Sequence, residues 1–324
     1  MARYENLSVG QLQVDNIVNG TFSAWPFPHR KLFVDPGGIL SDYGMDDVYL
    51  TLTAAEEAAV ANQHDTVYIV SGSTSLSLTA ELAWDKSYTH LIGCCAPSTI
   101  ANRARIFNSG EEIANLLNIS ASGCVFQNFY IFQGGSAATA LGNTTISGGR
   151  NYFDGVHFAG MGHVTASAET GAFSLKLDGA EENKFANCTV GVDTAVRSGA
   201  NSQVILDSDA HRNEFVDCKF LSASSVTTAV MVNLADTSAA LRYNYFKRCL
   251  FANWSLNHTA GGKLAACFKT PSSVKTNDLI IQDSMLVNIT EWQASDRGNI
   301  WVLGSVGTAG TAGVGSSGQS IEPS

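Results

Sequence analysis

The residues best suited to chemistry in this chain are carboxylates within one repetitive stretch: Asp154, Asp178, Glu181, Glu182, Asp207, Asp209 and Asp217. A glycoside hydrolase needs two carboxyl groups held several ångströms apart in a groove, and a lyase needs a base beside a cation or metal. Asp178 and Asp207 end corresponding segments of neighbouring repeats. Stacked strands would bring them to about 5 Å, which makes them the candidate catalytic pair. Aspartate is also an ordinary strand-end turn residue, and that plainer role suits both equally. His157, His163 and His211 have no second His or Cys at ligand spacing, so neither a metal nor any other cofactor is expected. Gly134-Gly135 and Gly148-Gly149 lack the pattern of a phosphate-binding loop. Tyr130, Tyr152, Trp254, Trp292 and Trp301 suit stacking on sugar rings or a subunit contact.

A short phrase recurs around these groups and must position them. It begins at Cys124-Val125-Phe126-Gln127-Asn128-Phe129 and returns at Asn151, Asn183, Asn213 and Asn244, with a degenerate copy at Ile281-Gln282-Asp283-Ser284. The four Asn are 32, 30 and 31 residues apart, and a fixed period of this size means stacked structural repeats. Apolar residues alternate over short runs, as in Phe173, Leu175 and Leu177, and Asn, Gly and Asp interrupt them. That pattern predicts several short strands per repeat instead of helix pairs. One coil cannot bury its apolar side alone, so coils stack. The fold class is all-β: a parallel β-helix.

Three inward columns follow. Phe126, Phe153, Phe185, Phe215, Phe246 and Ile281 form the first. Phe129, Val156, Cys188, Cys218, Cys249 and Ser284 form the second, and Ile131, Phe158, Val190, Phe220, Phe251 and Leu286 the third. The residue before the second column is Asn128, Gly155, Asn187, Asp217, Arg248 or Asp283. Five of these six are types that tolerate a left-handed backbone at a sharp bend. The seven cysteines include no CxxC pair, and Cys188, Cys218 and Cys249 keep the repeat period. They read as reduced core fillers rather than zinc ligands or disulfides.

With 19 basic and 29 acidic residues the net charge is −10, and no run of Lys or Arg offers a nucleic-acid surface. No apolar run reaches transmembrane length and no signal peptide is visible, so assembly in a host cytoplasm without a membrane is expected. Residues 1–21 read as an extended anchoring arm and 22–64 as an irregular wrap with a capping helix. Residues 65–303 read as the β-helix in eight or nine coils, and 304–324 as a flexible Gly/Ser/Ala-rich tail. The helix is placed at 53–62, capped by Thr53 with Glu56 three residues on. Leu7, Val9, Leu12, Val14, Ile17, Trp25 and Phe27 are the expected assembly contacts.

The start-up helix, the strand after Asp65-Thr66, the Asn-containing bends and the coil phrase resemble the pectin-lyase superfamily of right-handed parallel β-helices over about residues 50–300. The resemblance implies an asparagine ladder at the bend, carried onto Asn128 and Asn187 with Asp217 and Asp283 as substitutes. That superfamily includes lyases, hydrolases, virus tailspikes and proteins without enzymatic activity. The arm before a capped β-helix is similar in organisation to tailed-bacteriophage virion proteins. This second resemblance implies a homotrimer that contacts other virion proteins such as the major capsid protein. The expected function is a non-enzymatic structural protein decorating the outer surface of a phage capsid. The alternative is a tailspike-like protein that binds or depolymerises a host surface glycan.

Overall fold

The computed structural model describes residues 30–308 except 43, 73–75, 109, 111, 237–241, 255–262, 272–277, 294–298 and 304–306. The arm, with Leu7, Val9, Leu12, Val14 and Ile17, lies outside the described residues, as do Trp25, Phe27 and nearly all of the tail.

The chain is a right-handed parallel β-helix of three sheets. Among the described residues sheet A has eleven strands, sheet B ten and sheet C eight, and every pairing is between parallel strands from successive coils. The coil of Asn183 is representative: Lys184–Ala186 lies in sheet A, Thr189–Val190 in sheet B and Ser202–Asp207 in sheet C. In-register pairing stacks identical positions on top of one another. Phe126, Phe153, Phe185, Phe215 and Phe246 therefore form a continuous pile with ring centroids 4.8, 4.6, 4.5 and 4.8 Å apart. Each ring is fully buried, and each such contact adds about 0.5–1.5 kcal/mol beyond its buried area. The Cys188–Cys218–Cys249 column and the Phe158–Val190–Phe220–Phe251 column are buried beside it, with the cysteines as free thiols.

The turn from sheet A to sheet B has a left-handed residue in every copy of the phrase: Asn128, Gly155, Asn187, Asp217, Arg248 and Asp283 have φ of 57°, 61°, 52°, 56°, 51° and 49°. Arg248 adopts it without the usual residue type, and its guanidinium makes a two-bond pair with the Asp217 carboxylate at 2.6 Å. The asparagine ladder, however, is not at this bend. There the side chains of Asn187, Asp217, Arg248 and Asp283 are exposed. The buried ladder is the Asn that opens each phrase. Backbone N–H groups of Cys124, Asn151, Asn183 and Asn213 donate to Oδ1 of Asn151, Asn183, Asn213 and Asn244 at 2.8, 2.9, 3.0 and 3.1 Å. Their Nδ2 groups donate to carbonyls at the preceding turn. Buried backbone groups at that corner need partners, and an amide supplies a donor and an acceptor together.

The stack starts before residue 65. Lys31–Val34 pairs with Thr66–Val70, and Val48–Tyr49 adds the outermost strand of sheet A. The capping helix is Leu52–Ala58 and its cap is Thr51, whose side chain accepts from Ala54 N at 3.2 Å. Leu52, Ala55 and Ala59 face the core, while Val60 is exposed. Glu56 does not close a capping box. It is buried against Lys86, 3.6 Å away, and burial raises its pKa.

Candidate functional site

Asp178 and Asp207 are adjacent in register, as their spacing predicts. Between them sits a cation: Lys176 Nζ lies 3.0 Å from Asp178 and 2.8 Å from Asp207. Burial opposes the charge on Lys176, but hydrogen bonds to Asp207 and Asp178 win and its pKa is raised. Ser208 Oγ donates to Asp178, and Ser208 N donates to Asp207. Both carboxylates are thus engaged as acceptors in a strand-end ion cluster.

The coil before the regular phrase departs from the rest at the A-to-B turn. Elsewhere a few residues separate the two strands, as between Val125–Gln127 and Tyr130–Gln133. Here residues 95–104 intervene between His90–Cys94 and Arg105–Asn108, and they form a strap along the stack. Asn102 Nδ2 donates to Asn128 Oδ1 at 2.9 Å and to Gly155 O at 3.0 Å. Ala101 N donates to His157 Nδ1 at 3.0 Å. Further along the axis Thr189 Oγ1 donates to Thr99 O, and Lys219 Nζ donates to Thr99 Oγ1 at 2.8 Å.

His157 anchors this strap as a neutral ring. Its Nδ1 accepts from Ala101 N, so Nε2 carries the proton and donates to Gly191 O at 2.8 Å. Burial pushes its pKa down to about 4. Tyr130, 4.9 Å away between ring centroids, packs on it and on Phe132.

Between the strap and the bends lies a cleft of about 310 Å³, lined by Pro97, Ser98 and Thr99 on one side and Gln127, Asn128, Asp154, Gly155 and Asn187 on the other. This is the small end of the range for ligand sites, about 300–1,000 Å³. The left-handed backbone at Asn128, Gly155 and Asn187 turns three successive rungs outward into it. Asp154 is the charged member of the lining. Its carboxylate accepts from Gln127 Nε2 at 3.2 Å and Asn187 Nδ2 at 2.9 Å. Such a set can hold a polar ligand in a fixed orientation. It does not contain two carboxylates.

Of the aromatics singled out for sugar contact, Trp254 and Trp301 are exposed, but Trp292 is buried against Phe251 and Phe268. His163 caps the helix Val164–Ala168 by accepting from Thr165 N. His211 Nε2 lies 3.3 Å from Glu181. Among the described residues no three His, Cys, Asp or Glu side chains converge as a metal site requires. The repeat pattern missed the strap and with it the cleft. The available signal was length: Cys94 to Arg105 is 11 residues where Gln127 to Tyr130 is three.

No protein-family model and no curated protein sequence matches the chain. Solved structures do. Pectate lyase Pel9A is similar with a TM-score of 0.59 and 14% identity, covering 90% of this chain and 72% of its own. The pectin methylesterase from Aspergillus niger in deglycosylated form has a TM-score of 0.56 and 16% identity, covering 89% and 88%. At these identities the likeness is one of fold, the parallel β-helix.

Proposed function

We propose that this protein binds a polysaccharide without cleaving it, and that the cleft beneath the strap is where the glycan sits. One observation carries the reading: the strap, the departure from the repeat at the A-to-B turn, creates a cleft over three consecutive rungs that presents Gln127, Asn128, Asp154 and Asn187. Hydroxyl-rich ligands are oriented by a few fixed polar groups of this kind. The engagement of Asp178 and Asp207 with Lys176 favours binding over hydrolysis, since hydrolysis needs one carboxyl as acid and the other as base or nucleophile. The wider setting, a trimeric tailspike-like protein on a phage virion, is supported by the arm-before-β-helix organisation of the sequence.

Titration calorimetry against a panel of surface polysaccharides, with a parallel assay for new reducing ends, tests the binding claim. Binding without chain cleavage is expected, and Ser98→Trp, which fills the cleft from its exposed edge, should remove it without lowering Tm. Release of reducing ends that disappears in Asp178→Asn would replace this reading with a depolymerase. Labelling of the chain on intact particles tests the setting; signal absent from particles would exclude the virion.

A further inference from the structure

The strap is fastened unevenly along its length. Both ends are pinned to Asn128. Asn128 Nδ2 donates to Gly93 O and Cys95 O at 3.0 and 2.7 Å, and the wholly buried Asn102 donates to Asn128 Oδ1 and Gly155 O. The span between them meets the stack at Thr99, through Thr189 Oγ1 and Lys219 Nζ, and at Ala101, through His157 Nδ1. Ala101 has φ of 52°, a left-handed backbone that an alanine adopts at a cost. Tertiary contact therefore holds this segment against its own backbone preference.

His157 can hold it in one protonation state alone. The ring is almost wholly buried, and its Nε2 donates to Gly191 O. That leaves Nδ1 with a single lone pair, and Ala101 N–H occupies it. A second proton must take the same lone pair, so the proton and the strap exclude each other. The two ties at Thr99 are made by hydroxyl and ammonium donors, which acid does not remove. Around the ring stand Tyr130 from the preceding coil, its pKa pushed up to about 12 by burial, and Arg105, 5.8 Å from the Tyr130 ring centroid. Lys219 lies two coils on, Asp154 faces the cleft, and the strap's own Arg103 is exposed. Asp193 favours the imidazolium, and burial outweighs it.

The geometry points to an acid-released latch: a proton taken up from solvent at His157 Nδ1 displaces Ala101 N–H, and residues 96–101 leave the stack while Cys95 and Asn102 stay pinned. The cleft then loses the wall formed by Pro97, Ser98 and Thr99. In the closed strap His157 titrates near 4, below the ordinary 6.5 that it regains when opened to water. Closure is therefore fully favoured above about pH 6.5. Opening rises about tenfold per pH unit below that and levels off below about pH 4, a ceiling of about 300-fold.

Hydrogen exchange of the full chain, read by mass spectrometry over residues 96–103 and corrected for the intrinsic pH dependence of exchange, tests the latch. Protection of the Ala101 amide should fall about tenfold per pH unit between about 6.5 and 4.5, ahead of the Lys184 amide, which bonds to Asn151 O inside sheet A. In His157→Gln, whose side chain does not titrate, the slope should vanish. Thr99→Val removes the Lys219 tie and leaves the ring untouched, so opening should rise at every pH with the slope retained. A flat Ala101 profile in the full chain would overturn the latch. So would a slope that His157→Gln keeps, or protection lost in step at Ala101 and Lys184.

Only the occupant of the cleft rests on the saccharide reading above, and a separate measurement isolates it. A polysaccharide from the panel, present at about 100 times its Kd, should lower strap opening about hundredfold if it binds the closed cleft. One that binds and leaves Ala101 exchange unchanged sits elsewhere. That result would overturn the cleft assignment but not the latch, which the pH slope decides.

Discussion

Between sheets A and B the chain turns in the same way through six successive phrases, whereas between sheets B and C the connections differ in length from coil to coil. The second kind spans residues 134–141, 160–172, 191–201 and 225–229 in four consecutive coils. One contains the helix Val164–Ala168 and another the strand Val196–Arg197. The interiors behind the two corners differ accordingly. Behind the A-to-B turn is the apolar column of Val156, Cys188, Cys218 and Cys249. Behind the B-to-C connections are buried polar side chains. Gln133 donates to Ile113 O and Gly142 O, Asn143 to Ile131 O and Ala159 O, and Ser174 to Gln203. Arg197 is wholly buried among Asn201, Ser222 and Val230 O, and burial lowers its pKa to about 9.

Connections of unlike shape cannot satisfy one another's backbone groups by simple repetition, so side chains fill in. Uniform turns need no such help and can be backed by hydrocarbon and thiol. The fold therefore varies at one corner and is fixed at the other. A departure at the fixed corner, the strap, is correspondingly informative.

Substitutions can break this contrast. Phe215→Asp should leave no cooperatively folded protein by circular dichroism, because a charge in the middle of the phenylalanine pile has no partner. Next in size, two glycines inserted after Asn187 should displace the second and third columns and lower Tm steeply. The same insertion after Thr194, in a B-to-C connection, should cost no more than about 1 kcal/mol, since lengthening a flexible loop carries a small closure penalty. Similar losses at the two positions would dissolve the distinction between the corners. Asn213→Ala orphans Asn183 N and Ala180 O. With each buried group costing about 1–3 kcal/mol, urea unfolding should register a loss of about 2–6 kcal/mol.

Acid sharpens the picture at the strap. His157 has a folded pKa near 4, below its ordinary value of 6.5. The unfolded chain therefore binds the proton more readily. Its stabilising share is complete above about pH 6.5, declines as pH falls and is gone below about 4. At about 1.4 kcal/mol per pH unit the total is about 3 kcal/mol. His90, also lowered to about 4 by burial, acts in the same direction. Unfolding free energy measured across this window should fall with acid, and His157→Gln should remove about half of the decline. The smallest effect belongs to Asp178→Asn. This half-exposed member of the Lys176 cluster should change stability by less than about 1 kcal/mol in thermal melts.

The sequence by itself determined the repeat, its three buried columns and the left-handed bends. Each of these is local, or recurs at a fixed period that in-register stacking converts directly into contact. Column identity survives even at Arg248, where residue type argues against the backbone it adopts. The location of the asparagine ladder was legible only as a recurring letter. Asn returns both at the bend, as Asn128 and Asn187, and at the phrase opening, as Asn151 and Asn183, and only burial, exposed at Asn187 and enclosed at Asn151 and Asn183, separates a turn residue from a ladder rung. Tertiary structure alone decided the site. The Asp178–Asp207 spacing was right, but the lysine between them follows from cross-strand geometry that residue types do not specify. The cleft joins Pro97–Thr99 to rungs from Gln127 to Asn187, and the strap is tied down across 120 residues by Lys219 and Thr99. No periodicity encodes a contact that one coil makes and its neighbours do not.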